Sequence, residues 1–326
     1  MMRCFSLAEA FSSKNVKISF ISRKLSGSLC KFIEENGYDV HYLPNKDLEW
    51  KNDAEKTIKI INNLDPVDWL VVDNYELNDT WETILKPYTK KIMVIDDMTK
   101  RKHNCDLILD QNFYENMKKC YDGLIPVNCK KLIGPKFALL RKDFLRIRKN
   151  LRKRDGKIKR ILVSFGSSDP TNEITKVIEA INKLDNKQIK IDLVLGIPNK
   201  TSKNIDKFFS KKLNITCHYQ STKIAQLMEK ADLSIGSGGS TTWERCCLGL
   251  PSIVSISADN QKKLTEAVAK NGCSINLGFV NKLSSRDYQK AITNIDNLTL
   301  IRMSQKCIKL VDGNGIYRVV DELLSI

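Results

Sequence analysis

The sequence predicts an α/β chain built from two Rossmann-like, doubly wound parallel sheets facing a cleft. Short apolar, β-branched runs alternate with amphipathic stretches along the whole chain, which is the pattern of βαβ units. That alternation breaks at one dense basic stretch and restarts beyond it. At 326 residues the chain can also bury two separate cores. The expected division is residues 1–150 and 151–326, joined by a charged linker near 145–158.

In the first half the expected strands are Val16–Ser22, Val40–Leu43, Trp69–Asp73, Lys91–Asp96, Leu107–Asp110 and Lys131–Gly134. Between them, residues 53–64 carry Ile58, Ile61 and Leu64 at helical spacing. In the second half the expected strands are Arg160–Gly166, Lys190–Gly196, Asn214–Tyr219, Asp232–Gly236 and Pro251–Ile256, with helices over 172–184, 223–231, 240–249 and 261–271. The chain opens directly on a helix, Met2–Ser12, with Leu7, Ala8, Ala10 and Phe11 on its apolar face. Doubly wound domains usually begin on a central strand whose following turn contacts the ligand. A strand and loop ahead of this helix, roughly 15 to 20 residues, is therefore expected and missing from the sequence.

Composition excludes several classes. Hydrophobic residues make up 42% and charged residues 28%, a globular balance. No apolar run approaches the roughly 18 residues of a membrane span, and the first residues lack the features of a secretion signal, so a cytoplasmic protein without membrane partner is expected. The ten cysteines form no C-x-x-C pair and no zinc-ligand spacing with His41, His103 or His218. Reduced thiols, no metal and no cofactor are expected. The net charge of +16 peaks at residues 142–160, KDFLRIRKNLRKRDGKIKR. No nucleic-acid motif accompanies it, so it reads as a solvated linker. A positive field also suits an anionic nucleotide-sugar. A monomer is the default.

The strongest local signal is 232–251, DLSIGSGGSTTWERCCLGLP. A strand ends in Gly236-Ser237-Gly238-Gly239, and Ser240, Thr241 and Thr242 open a helix. Glycines let backbone approach a ligand, and a helix start presents free N–H groups, so the segment suits phosphate. Glu244 in the first turn offers two oxygens to ribose hydroxyls. The same residues also suit a tight turn with a capping Ser. A second signal is 165–172, FGSSDPTN, where Gly166 and Ser167 end a strand and Asp169-Pro170 fits an N-cap and first helical position. Third, Asn260 and Gln261 place adjacent amides after a strand, where they suit sugar hydroxyls or acetamido groups. In the first half Asp73-Asn74-Tyr75 and Asp96-Asp97 follow apolar strands and are candidates for substrate binding or proton transfer. The three histidines read as core or surface residues.

Taken together, the chain resembles the pseudaminic-acid pathway hydrolases that release UDP from UDP-2,4-diacetamido-2,4,6-trideoxy-β-L-altropyranose, relatives of the GT-B glycosyltransferases. The carriers are Met2-Arg3-Cys4 with Leu7-Ala8-Glu9-Ala10, Asp73-Asn74-Tyr75, Ile95-Asp96-Asp97, Cys105 to Asn112, Gly134 to Arg141, and the three C-terminal segments above. The resemblance implies a GT-B-like fold and a metal-free, inverting C–O cleavage in which water attacks the anomeric carbon. It implies that Glu244 holds the ribose and the 236–242 segment, with Gly238, Gly239, Ser240 and Thr241, holds the diphosphate. Tyr75 and Asn260 lie on the sugar side, with Asp97, Arg141, Gly166, Ser167, Asp169 and Gln261 as further binding residues. It implies a role before flagellin glycosylation.

The family's general base is a histidine in a G-x-G-H segment just before the Met-Arg-Cys helix. Here the aligned position falls upstream of Met1. General-base assistance is commonly worth roughly 10²–10⁴-fold, so the chain as written is expected to bind UDP but hydrolyse poorly. The rivals are a GT-B glycosyltransferase and a non-catalytic nucleotide-sugar-binding protein, with a basic nucleic-acid binder the weakest.

Overall fold

A computed structural model describes residues 1–25, 27–44, 49–166, 169, 171–184, 188–196 and 214–325. They form two units, Met1–Lys142 with Asn314–Ile326, and Asp143–Gly313.

Unit 1 opens with helix α1 (Met2–Ala10), then β1 (Ser19–Arg23), α2 (Cys30–Glu35), β2 (Asp39–Leu43), α3 (Trp50–Ile61), β3 (Trp69–Val72), α4 (Asp79–Leu85), β4 (Lys91–Ile95), β5 (Leu107–Asp110) and β6 (Lys130–Ile133). Every ladder is parallel. β1 pairs with β2, and β3 to β6 pair in chain order, with no described ladder joining the two sets. Strand β4 shows why these runs read as continuously apolar. Ile92 and Val94 face one core with Trp81 and Leu85, while Met93 and Ile95 face another with Leu7 and Phe11. Both faces are covered, so alternation is lost from the sequence.

The second core of unit 1 also contains Ile316, Val319, Val320 and Leu323 from the last helix, Gly315–Ser325. The Trp69 indole donates to the Leu323 carbonyl at 3.0 Å, and Arg318 donates to the Lys136 carbonyl at 2.8 Å. This corrects the expected 1–150 and 151–326 division. The terminal helix returns to the first unit because its apolar stripe completes that core.

Unit 2 begins with α5 (Lys142–Arg148, its first residue shared with unit 1) and continues β7 (Arg160–Ser164), α6 (Glu173–Asn182), β8 (Lys190–Leu195), β9 (Ile215–Tyr219), α7 (Ile224–Lys230), β10 (Leu233–Ser237), α8 (Thr241–Cys247), β11 (Ser252–Ile256), α9 (Lys262–Lys270), β12 (Ile275–Phe279), α10 (Ser285–Asn294) and α11 (Asn297–Leu310). The terminal helix Gly315–Ser325 is α12. The sheet order is β12-β11-β10-β7-β8-β9, all parallel. Read from β7 outward, this is the Rossmann order, with its switch point between β7 and β10.

The basic run is not a solvated linker. Arg154, 7% exposed, donates to the carbonyls of Ala231, Leu248 and Met228. Arg152 donates to the carbonyls of Glu229 and Ala231 and to Asp232. Arg148 reaches the carbonyls of Cys247 and Ile308. These are the last turns of α7, α8 and α11, where helices leave carbonyls without intrahelical partners and where cations are favoured. The arginines cap helix ends, which a count of charge along the sequence does not reveal. Among the described residues no helix is long and apolar enough to cross a membrane.

Candidate functional site

In unit 2 the sequence motifs converge on the switch point. Gly236, the next-to-last residue of β10, pairs with Ser164 of β7, and a Cβ there would lie 2.0 Å from the Ser164 carbonyl oxygen, so only glycine lets the two strands approach. A Cβ on Gly238 would sit 2.3 Å from the Thr265 hydroxyl oxygen of α9. The Gly238 N–H donates to the Ser255 carbonyl at 3.2 Å, fastening the loop to β11. Gly239, at φ +112, then turns the chain into α8. Ser240 is exposed and its side chain makes no cap bond, Thr241 is half-buried, and Glu244 is half-buried in α8. Helix α8 spans seven residues, fewer than expected from 240–249.

On the β11 side Asn260 is exposed in a short 3-10 turn, Asp259–Gln261. Gln261 accepts from the Ser257 N–H at 3.0 Å, and its amide nitrogen lies 3.9 Å from where a Gly239 Cβ would stand. The Gln261 amide therefore borders the glycine loop. On the β7 side Gly166 lies at φ +84 at the strand's carboxyl end. Ser167 lies outside the described residues. Asp169 is taken up by the fold, its two oxygens accepting the N–H groups of Glu173 and Ile174 at 2.9 Å. The N-cap position of α6 is Asn172 rather than Asp169, because Asp169 reaches the helix start from three residues further back.

In unit 1 the carboxyl ends of β3, β4 and β5 bring four aspartates together. Asp73 binds the Arg3 guanidinium of α1, with a shortest contact of 2.6 Å. Burial alone would raise its pKa, but Arg3 outweighs this and holds it at about 2. Asp97 accepts from Arg3 at 3.2 Å and from the Tyr75 hydroxyl at 2.8 Å. Tyr75 is 48% exposed, and burial of its hydroxyl together with Asp97 moves its pKa up to about 12. Arg141 is half-buried ahead of α5.

The other two aspartates are internal. Asp96, with no exposed surface, accepts from Arg101 at 2.6 Å and from the Tyr121 hydroxyl at 2.9 Å. Burial opposes its ionisation, but His103, Arg101 and Tyr121 keep it well below the usual carboxylate range. Arg101 also donates to the carbonyls of Tyr75 and Leu77, which shapes the loop that presents Tyr75. Asp110 accepts from the Tyr114 hydroxyl at 2.9 Å and from the Asn112 N–H at 2.8 Å, and lies 2.9 Å from the Tyr121 hydroxyl. Burial still dominates and raises it to about 7. His103 is buried against Glu82 at 2.7 Å; burial would lower its pKa, but Asp96 and Glu82 raise it to about 9. It is a core residue, whereas His218, which meets Asp192 at 2.8 Å, is half-buried. Asp73, locked to Arg3, is a weak base at neutral pH. The most accessible part of this cluster is the exposed Tyr75 with the half-buried Asp97.

Sequence reasoning missed Arg101, Arg245, Tyr114 and Tyr121, whose roles depend on distant partners. It also missed a meeting of Cys246, Cys273 and Cys307, whose sulfurs all lie within 4.8 Å and are buried. Among the described residues this set is the one with donors placed to hold a metal ion, and it offers three ligands where tetrahedral zinc takes four. A concavity of about 620 Å³ over Arg152, Arg160 and Asp232 opens at the amino ends of the unit 2 strands, the opposite edge from the glycine loop.

Residues 160–308 match the glycosyltransferase family 28 C-terminal domain. The motif-based resemblance is also found over most of the chain. It is 28% identical over 258 residues to a UDP-2,4-diacetamido-2,4,6-trideoxy-β-L-altropyranose hydrolase of Campylobacter jejuni, covering 78% of this chain and 86% of that protein. It is 28% identical over 269 residues to an uncharacterized protein of Methanocaldococcus jannaschii, covering 80% of this chain and 53% of that one. A spore coat polysaccharide biosynthesis protein of Bacillus subtilis is 28% identical over 191 residues, 58% of this chain and 54% of that protein. The aligned part thus spans about half the length of the last two. Among solved structures, MurG of Acinetobacter baumannii matches with a TM-score of 0.70 at 12% identity, covering 99% of this chain and 95% of that one. A UDP-GlcNAc 2-epimerase from Neisseria meningitidis, bound to UDP-GlcNAc, matches with a TM-score of 0.66 at 14% identity, covering 100% and 96%. The fold is GT-B-like, with two Rossmann-like units.

Proposed function

We propose that this chain is a nucleotide-sugar hydrolase that cleaves a UDP-linked diacetamido-trideoxyhexose to free sugar and UDP. The observation that carries the reading is the glycine loop at the switch point of unit 2, with Glu244 one turn behind it. Ligands of open parallel sheets bind outside the strand carboxyl ends at such a point. The coarser reading, an enzyme that processes a UDP-sugar, is supported by the family 28 domain and by the relatives together. The finer one draws on the hydrolase of C. jejuni.

In this reading the backbone N–H groups after β10 hold the diphosphate and stabilise it as it leaves, since fixed donors favour the charge that develops in the transition state. Glu244 accepts both ribose hydroxyls. Asn260 and Gln261 meet acetamido or hydroxyl groups of the sugar. Tyr75 and Asp97 bind on the sugar side, and water attacks the anomeric carbon with inversion. By the resemblance the general base is a histidine, and the cleavage takes no metal. The protein acts in the cytoplasm as a monomer.

The test is UDP release from UDP-2,4-diacetamido-2,4,6-trideoxy-β-L-altropyranose, by the chain as given and by a form extended through any in-frame upstream codons. Release by either form with no acceptor present supports the hydrolase. UDP binding by both with release by neither overturns it and favours a transferase, in keeping with the family 28 domain.

A further inference from the structure

Among the described residues unit 2 buries two arginines, Arg154 and Arg245. Arg154 spends donors from all three guanidinium nitrogens on helix-end carbonyls. Arg245 differs. It is 2% exposed, lies on α8, and meets no carboxylate at ion-pair distance among the described residues. One terminal nitrogen donates to the Ser237 carbonyl and to the Thr242 hydroxyl, both at 3.1 Å. Its Nε has no partner. Burial pulls its pKa down, and the charge of Glu244 only partly opposes this. Leaving an ion buried without a counter-charge costs several kcal/mol.

The position of that charge gives it a use. The two groups it bonds, Ser237 and Thr242, flank the Gly238-Gly239 turn. Its other terminal nitrogen lies 3.7 Å from where a Gly236 Cβ would stand. Gly236 puts no side chain against the guanidinium, which bonds the loop directly at the Ser237 carbonyl. We propose that Arg245 is a built-in counter-charge for the anionic part of the ligand, a positioning residue that acts through the loop rather than by direct contact. The inference rests on the placing of the diphosphate at this loop. It adds the source of the site's charge selectivity: the protein keeps an uncompensated cation beneath neutral backbone, and diphosphate binding completes the pair. Because the guanidinium is buried, water and salt screen it less than they screen the surface lysines.

The experiment measures the affinity of uridine, UMP and UDP for the wild type, Arg245→Met and Arg245→Lys, beside thermal melting of each free protein. Arg245→Met is expected to weaken UDP roughly ten- to hundred-fold, UMP less, and uridine little, because the lost interaction scales with ligand charge. Arg245→Lys keeps the charge and is expected to retain most of the UDP-over-uridine preference, which tests the proposal even if the methionine variant fails to fold. An equal loss for all three ligands, no loss for UDP, or a lysine variant that forfeits the preference would overturn the proposal. Failure of the wild type to bind UDP would overturn the placing of the diphosphate first, and this inference with it.

Discussion

Asp110 is the residue whose replacement most directly tests the electrostatics of unit 1. Its carboxylate has no exposed surface and shares the Tyr121 hydroxyl with Asp96, each at 2.9 Å. Tyr121 has one proton to give. Asp96 receives it, since Arg101 already holds that carboxylate ionised, and the contact between Tyr121 and Asp110 then needs a proton from Asp110 itself. This agrees with a pKa raised by burial from 3.8 to about 7. In the unfolded chain the group ionises near 3.8, so between pH 4 and 7 the unfolded state holds fewer protons than the folded one. Stability from this group is therefore full below pH 4 and is lost as pH rises through 7, where the difference amounts to about 4 kcal/mol. Asp110→Asn removes the titration while keeping the shape and a donor for Tyr121. Urea unfolding of both proteins at intervals from pH 4.5 to 7.5 should show the variant gaining on the wild type by roughly 1 kcal/mol per pH unit, then levelling off. A stability difference that does not change with pH would refute both the shared-proton arrangement and the role given to burial.

Other changes test the remaining parts. Gly238→Ala puts a methyl group 2.3 Å from the buried Thr265 hydroxyl and should cost about 1–3 kcal/mol in unfolding free energy while weakening UDP in calorimetry; adding Thr265→Ala should recover part of both. Arg154→Met leaves the ends of α7 and α8 with buried unpaired carbonyls, so the denaturant midpoint should fall by the equivalent of about 3 kcal/mol. Tyr75→Phe removes a hydroxyl from a half-exposed ring, so stability should stay within about 0.5 kcal/mol. On the proposed function, its turnover should drop roughly tenfold with UDP affinity unchanged.

The parts of the fold that could be read from the sequence are those fixed by local pattern. Strands covered on both faces, such as β4 with Ile92 to Ile95, are unbroken apolar runs. Strand β12 went unread because it is a half-buried edge of sequence INLGF, interrupted by Asn276 and Gly278 and paired to β11 with a register shift. The destination of α12 is equally invisible: its apolar stripe says that it is covered, and not by which unit. The site divides the same way. Gly236, Gly238 and Asp97 announce themselves because glycine and carboxylate at a strand's carboxyl end are locally unusual. Arg245 does not, since an arginine within a short helix suits a solvated face as well as a buried one, and only its packing against Ser237 separates the two. The basic run misled for a related reason. Charge along the sequence is a sum, whereas Arg148, Arg152 and Arg154 act singly on the carbonyls of three different helices.

The two units treat charge at their strand ends in opposite ways, and this bears on which part of a nucleotide-sugar each could hold. Unit 1 gathers Asp73, Asp96, Asp97 and Asp110 there, with Arg3, Arg101 and His103 bonded into the cluster. Its more accessible part is Tyr75 and the half-buried Asp97, whose carboxylate is shared with Arg3. Unit 2 presents a glycine loop over the buried cation of Arg245, an arrangement that favours an anion. Loss of UDP from an anomeric carbon also separates charge, leaving an oxocarbenium-like centre as the diphosphate departs. Under the proposed reaction, a cation on the nucleotide side favours the charge of the departing diphosphate. The separation predicts that Asp97→Asn reduces turnover with little change in UDP affinity, while Arg245→Met weakens UDP binding itself. A variant set in which both changes moved UDP affinity alike would show that the strand ends do not divide the substrate in this way.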